Sequence, residues 1–363
     1  MDKYKIGSKE AIAILLTITI ARTFVSLPTY ILYSMKSATI LNILYVGIIA
    51  ILITILIYKL MKNFKGLDII DISETLGGNL LKNIIGSIFI IYFIITSSTL
   101  LRNFSEGIKT VYYPMTNTSF IILLFVVCII ITNRLSFNAS LKTTLIVIPM
   151  VLVSIVFIFL AISKDFVFER MFPVLGEGLI PTFVTCLENI FSFAGIGLIY
   201  FLPPLLKEPE KFKKISLIST GISLIYLLLI LSTLLFMFTF YTNSREIMPL
   251  YGATRFIEFG TFFQRLESVF LLIWIMAFAC YLSIISKFAI NIFKKITKIS
   301  DSKPLIYPFG LLMLAIALTP KNFAVSYFIE TTVYKYIAIG IIFILAISVL
   351  LLANLKRKKL KVE

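Results

Sequence analysis

Apolar residues in this chain come in ten long runs. Their bounds lie near 10–33, 39–60, 83–101, 118–132, 143–162, 179–205, 215–240, 267–290, 304–320 and 332–354. A helix needs about 20 such residues to cross a hydrocarbon core ~30 Å thick. No water in that core satisfies exposed backbone groups, so the spanning form must bond its own. The runs therefore predict an all-α polytopic membrane protein, one transmembrane domain over residues 1–363. Composition agrees: 59% of residues are hydrophobic and 14% charged, against about 25% charged in soluble domains. A soluble fold of this length has too little interior for so many apolar side chains. Disorder is excluded because it requires low hydrophobicity. The first run is too long for a signal-peptide core and lacks a small-x-small cleavage site, so it is kept as a span.

The formal net charge is +16. In a soluble protein that would suggest nucleic acid; here it reflects the preference of Lys and Arg for cytoplasmic loops. Of the 34 basic residues, 23 fall on the side that holds both tails and ten on the other, with Arg22 inside a span. Both termini are expected in the cytoplasm, which fits an even number of spans. The basic run at 356–361 is either a stop-transfer anchor or a contact for anionic lipid. Residues 66–80 are amphipathic and predict an interfacial helix that stops at Gly77-Gly78. The longest outer loop, 241–266, predicts a short surface helix near 251–262.

The chain has no histidine, which removes His-based triads and zinc sites. Cys128, Cys186 and Cys280 are far apart in apolar runs and form no ligand cluster. No activated nucleophile, metal set or phosphate loop is present, so no enzyme activity, cofactor or metal is expected.

Ten spans divide as five plus five. In transporters built from inverted repeats, the site lies between interrupted helices at matching positions of the two halves. The first span carries Ala21-Arg22-Thr23-Phe24-Val25-Ser26-Leu27-Pro28, and the sixth carries Ser192-Phe193-Ala194-Gly195-Ile196-Gly197 ahead of Leu202-Pro203-Pro204. Proline removes a backbone donor and glycine removes the side chain that limits backbone approach. These stretches predict unwinding in mid-membrane, against the simpler reading of two proline-kinked helices.

An arginine at mid-span costs about 2.5–3.5 kcal/mol on insertion, so Arg22 must face protein or water. Glu188 is the only acid well inside the sixth span. At ~1.5 Å per residue the two lie at the same depth. Arg22 either pairs with Glu188 as a structural or gating ion pair, or holds a ligand carboxylate through its planar fork. Thr23, Ser98, Phe193, Gly195, Gly197, Tyr281 and Ser283 are the other candidate ligand-binding residues. For the serines and threonines helix packing competes with ligand contact. Arg265 and Glu267 are read as anchors at the outer interface.

Several stretches resemble the spore germination permease family, the B subunits of nutrient germinant receptors, within the amino acid–polyamine–organocation superfamily. They are Arg265-Leu266-Glu267 with Phe270 and Ile273-Trp274; Pro173-Val174-Leu175-Gly176-Glu177-Gly178; Ser192-Phe193-Ala194-Gly195 with Leu202-Pro203 and the basic run Lys207–Lys214; and Leu76-Gly77. The resemblance spans nearly the whole chain. It implies ten helices in a LeuT-like 5+5 inverted repeat, with repeats at about 10–162 and 179–354 and breaks in helices 1 and 6. It also implies residence in the inner membrane of a spore, with an A subunit and a lipoprotein C subunit as partners. The implied role is to bind a nutrient, often an amino acid, and start germination. An amino-acid or cation symporter and a ligand-gated water or ion channel are the alternatives. The sequence departs from the family where Ala21-Arg22-Thr23 replaces a glycine-rich break, and where Gly197 stands in place of an acid.

Overall fold

A computed structural model of the chain describes residues 5–135, 137–239, 246–257 and 266–362. The described residues are helical, apart from short connections and one isolated parallel bridge between Ile6 and Leu206. Seven helical segments are long and apolar enough to cross a membrane. The helices in order are α1 (Ser8–Thr23), α2 (Ser26–Met35), α3 (Thr39–Met61), α4 (Ile69–Tyr112), α5 (Thr118–Arg134) and α6 (Phe137–Ala161). They continue with α7 (Leu179–Phe201), α8 (Phe212–Met237), α9 (Pro249–Thr254), α10 (Glu267–Thr297), α11 (Ile306–Leu318) and α12 (Phe323–Arg357).

Helix α1 sits at the centre, against α6, α7, α8 and α10. Its residues from Ala13 to Thr23 are all buried, as expected of a helix apolar on every side. The outer helices instead expose ridges of large apolar side chains, such as Leu44, Ile48, Leu52 and Leu56 on α3. Patches of this extent are the lipid-facing surface.

The predicted interruption between α1 and α2 is present. It falls at Phe24-Val25, where Val25 has φ −131° and ψ −89°. Pro28 stands in the first turn of α2, where its missing N–H would have no intrahelical partner anyway. Phe24 wedges the break open: its ring centroid lies 5.5 Å from that of Trp274 and 6.1 Å from that of Phe104. Each such pair contributes about 0.5–1.5 kcal/mol beyond burial.

The second interruption differs from expectation. Helix α7 turns at Val184 and is wound tightly from Thr185 onward, with non-helical dihedrals at Cys186 and Phe193 and not at Gly195 or Gly197. Gly195 serves close approach instead, since a Cβ there would sit 2.7 Å from the Leu15 carbonyl oxygen.

The amphipathic stretch before the third span forms the first part of α4. Asp68 caps it by accepting from the N–H groups of Ile70 and Asp71, both at 3.0 Å. It ends at Gly78, whose φ of 66° and ψ of −161° only glycine adopts freely. Lys295 of α10 pairs with Asp68 at 2.7 Å and Asp71 at 2.6 Å and ties the segment to the bundle.

Three helices extend past their expected ends. Helix α4 continues to Tyr112, so Arg102 and Asn103 are buried within it. Helix α10 runs to Thr297, past the expected end at 290. Helix α12 starts at Phe323, not 332, and carries Glu330 and Lys335 in its interior. Hydropathy treats charge as a boundary, but these charges find partners inside. Of the surface helix expected near 251–262, the described part is α9; 258–262 lie outside the described residues.

Gly195→Ala places a methyl group against a carbonyl that cannot retreat, and should destabilise the fold by about 1–3 kcal/mol. Gly221→Ala, with nothing within 4 Å of its added carbon, should be neutral or slightly stabilising. Thermal unfolding of the purified protein in detergent checks both.

Candidate functional site

Arg22 is the second-last residue of α1, just before the break. Its Nη1 donates to the Phe191 carbonyl oxygen at 3.4 Å, and the guanidinium lies 4.6 Å from the centroid of the Phe191 ring. Its Nη2 lies 3.8 Å from Oε1 of Glu330, close enough for ion pairing but beyond hydrogen-bond distance. Glu330 is held firmly on its other oxygen. Oε2 accepts from Ser26 Oγ and from Asn103 Nδ2, both at 2.6 Å. Ser26 is the first residue of α2, so the carboxylate stands where a half-helix N-terminus favours negative charge.

A second pair lies on the other side of Phe191. Lys335 Nζ donates to Glu188 Oε1 at 2.5 Å and to Tyr30 OH at 2.8 Å. Tyr30 OH donates to the same carboxylate oxygen at 2.6 Å, and Tyr336 OH to the other at 2.7 Å. The Tyr30 and Phe191 rings meet edge to face with centroids 5.6 Å apart. Phe191 thus separates two opposite-charge pairs, one at the break and one beyond it. Helix α12 supplies Glu330 to the first and Lys335 to the second. Glu330 lies within a widened turn, Ile329–Tyr334, and Lys335 directly follows it; such π-type distortions are common at functional sites.

This corrects the expected pairing of Arg22 with Glu188. The depth estimate assumed 1.5 Å per residue along both helices. It also counted from assumed span ends, which fixes depth no better than one turn, and in the tightly wound part of α7 one turn is three residues. Glu188 therefore shares a face with Phe191 but stands one turn away from it, and Phe191 is the residue beside Arg22. The true partners escaped notice because Glu330 lay before the expected start of the last span. Their signal was legible: an acid and a base five positions apart in an apolar run, with one unmatched buried charge each to neutralise.

The remaining candidates divide among several places. A cavity of about 20 Å³ beside Arg22 is lined by Ile18, Tyr92, Phe93, Tyr281 and Glu330 among others. That is room for about one water molecule. Phe193 and Gly195 line a separate cavity of about 10 Å³ with Thr19 and Ser223. Thr23 turns away, its hydroxyl 2.8 Å from Tyr226 OH. Ser98 donates back to the Ile94 carbonyl at 2.7 Å. Gly197 lets α7 approach α12, where an added Cβ would sit 3.1 Å from Ile342. Ser283 joins another polar group: it donates to Asn133 Oδ1 at 3.2 Å, while Lys287 donates to Ser140 Oγ at 2.8 Å. Of the predicted residues, only Arg22 and Tyr281 share the cavity at the break. Ser26, Asn103 and Glu330 were missed there, and Tyr30 and Lys335 beyond it. Glu267 is buried at the start of α10; Arg265 lies outside the described residues.

A broken central helix with buried charges beside the break is transporter architecture. The structure aligns with the substrate-bound outward-open state of a Na+-coupled sialic acid symporter at a TM-score of 0.69. The two are 15% identical, and the alignment covers 94% of this chain and 79% of that one. The protein is thus a multi-pass membrane protein with a transporter fold. A family profile described as "Spore germination protein" matches residues 5–325, and the chain belongs to that family of spore germination permeases. Spore germination protein YndE of Bacillus subtilis (strain 168) is 25% identical over 98% of both chains. Spore germination protein A2 of the same organism is 27% identical over 68% of this chain and 67% of its own.

Double-mutant cycles read by unfolding free energy test the pairing. Glu188→Gln leaves Lys335 buried without its counter-charge and should cost on the order of 3 kcal/mol. Adding Lys335→Met should recover much of that loss. Positions 22 and 330 should couple similarly, whereas 22 and 188 should add to within about 0.5 kcal/mol.

Proposed function

We propose that this chain is the B subunit of a nutrient germinant receptor and binds an amino acid between Arg22 and Glu330. In this reading it crosses the spore inner membrane ten times, with 5+5 repeats at about 10–162 and 179–354 and both termini cytoplasmic. Its partners are an A subunit and a lipoprotein C subunit. Family membership, the transporter fold and the one-sided distribution of basic residues support it.

The observation that carries the ligand assignment is the Arg22–Glu330 contact of 3.8 Å at the helix break. A guanidinium has five donors, and here it makes one long hydrogen bond and one ion pair beyond bonding distance. The complement of such a pair is a zwitterion. Its carboxylate takes two N–H donors of Arg22, the strongest geometry available to it, and its ammonium donates to Oε1 of Glu330. Tyr281 borders the same space. The cavity of about 20 Å³ is too small for any amino acid, so the conformation described is closed, and entry must part the two charges. A ligand shifts this equilibrium only by binding the parted form better, and the partner subunits read the shift.

Equilibrium binding of radiolabelled amino acids to the full chain in nanodiscs tests the assignment. One or more should bind, and Arg22→Gln and Glu330→Gln should each weaken binding at least about tenfold. Analogues lacking either the carboxylate or the amine should bind as poorly, with ligand-free thermal stability as the folding control. Binding that survives both substitutions would sink the assignment. The fold it shares with a symporter favours transport as the second reading. Concentrative uptake into vesicles by this chain alone would establish it.

A further inference from the structure

The largest cavity among those described lies away from the helix break. It measures about 770 Å³ and is lined by the end of α5, the last turns of α10, the start of α11, Pro204-Leu205 and Asp71. Leu205 accepts the Ile6 N–H at 2.7 Å, so the cavity lies at the end of the bundle where the N-terminal segment docks. Six of its lining side chains are cationic: Arg134, Lys287, Lys294, Lys295, Lys298 and Lys303. Asp71 is the only acid among them, and it is already engaged with Lys295. No acid among the described residues pairs with Arg134, Lys298 or Lys303.

Cations at a helix C-terminus commonly serve its unpaired carbonyls. That accounts for Lys294, Lys295 and Lys298 on α10. It also accounts for Arg134, the last residue of α5, but not for Lys303, which begins the short turn ahead of α11 and lines the same space. Lys298 has φ 59° and ψ 22°. A lysine stands there although the backbone conformation favours glycine or asparagine. The Arg134 guanidinium is stationed 5.7 Å from the centroid of the Tyr307 ring, which orients its fork.

Arg134, Lys298 and Lys303 are exposed residues of the cavity lining, so water and salt screen their mutual repulsion and a bound anion relieves it further. Phosphate oxygens accept from several ammonium and guanidinium donors at once, and basic pockets between spanning helices hold phospholipid head groups. We infer that this cavity binds a phosphate-bearing anion through Arg134, Lys298 and Lys303, with Lys287 at its inner end. The ester is either the head group of an anionic lipid or a soluble phosphate compound. The inference is independent of the amino-acid site and of which leaflet the cavity faces.

The test measures thermal unfolding of the full chain in nanodiscs. Wild type is compared with Arg134→Gln/Lys298→Asn/Lys303→Gln in phosphatidylcholine alone, with phosphatidylglycerol mixed in, and in phosphatidylcholine with added inorganic pyrophosphate. Sodium chloride at matched ionic strength is the control. The wild-type Tm should rise by about 5 °C at saturating anion, and the variant should lose the rise. A rise with phosphatidylglycerol alone identifies a lipid head group, and one with pyrophosphate alone a soluble phosphate. No rise in either arm, the same rise with sodium chloride, or a full rise in the variant would overturn the inference. Should the triple variant start from a lower Tm, Lys298→Asn alone repeats the comparison, because asparagine keeps the left-handed turn.

Discussion

A charge inside a membrane must be neutralised by something, and this bundle is arranged around four that neutralise each other in two pairs. Arg22 and Glu330 face each other at the break of the central helix, and Glu188 and Lys335 face each other one turn further along. Phe191 keeps the pairs apart, with its face toward Arg22 and its ring in a T-shaped contact with that of Tyr30. Neither pair is left to Coulomb attraction alone. Hydroxyl and amide donors complete the coordination of both carboxylates, which a buried ion pair requires if it is to offset its desolvation. The break itself depends on this arrangement, since Ser26 at the start of α2 spends its hydroxyl on Glu330 and not on capping its own helix.

The two pairs are unequal. Glu188 receives three hydrogen bonds, from Lys335, Tyr30 and Tyr336. The Arg22–Glu330 contact stands beyond bonding distance and borders a cavity. The first has the properties of a lock, with both carboxylate oxygens hydrogen-bonded. The second has those of a contact held closed by a small margin, so that the ligand proposed for it would give up only a loose contact.

Much of the fold was legible because lipid leaves so few solutions. Apolar runs located the helices, and Pro28 together with Arg22 located the break in the first. The interfacial segment could be bounded by Gly77-Gly78, since a backbone at φ 66° selects glycine. The second break was less legible. Gly195 and Gly197 looked like unwinding signals, but each exists so that a neighbouring helix can come close. Sequence cannot separate these two uses of glycine, since both follow from the missing side chain. The ion pairing differs from expectation because partner choice depends on relative depth to within one turn, and a residue count from assumed span ends does not fix depth that closely. The identity of the buried charges was visible, but their distances were not.

Helix α12 makes the two pairs one device. Glu330 and Lys335 are five positions apart on one helix, within and just after a widened turn. Any displacement of that stretch which lengthens the Arg22–Glu330 contact also moves Lys335 relative to Glu188. The converse holds as well, so the pairs cannot open and close independently while α12 moves as a unit. This gives a binding event at the break a physical route to the far side of Phe191 without a change of contact at Phe191 itself. It also explains why one helix carries both counter-charges. Two separate helices could neutralise Arg22 and Glu188 equally well, but they would leave the pairs uncoupled.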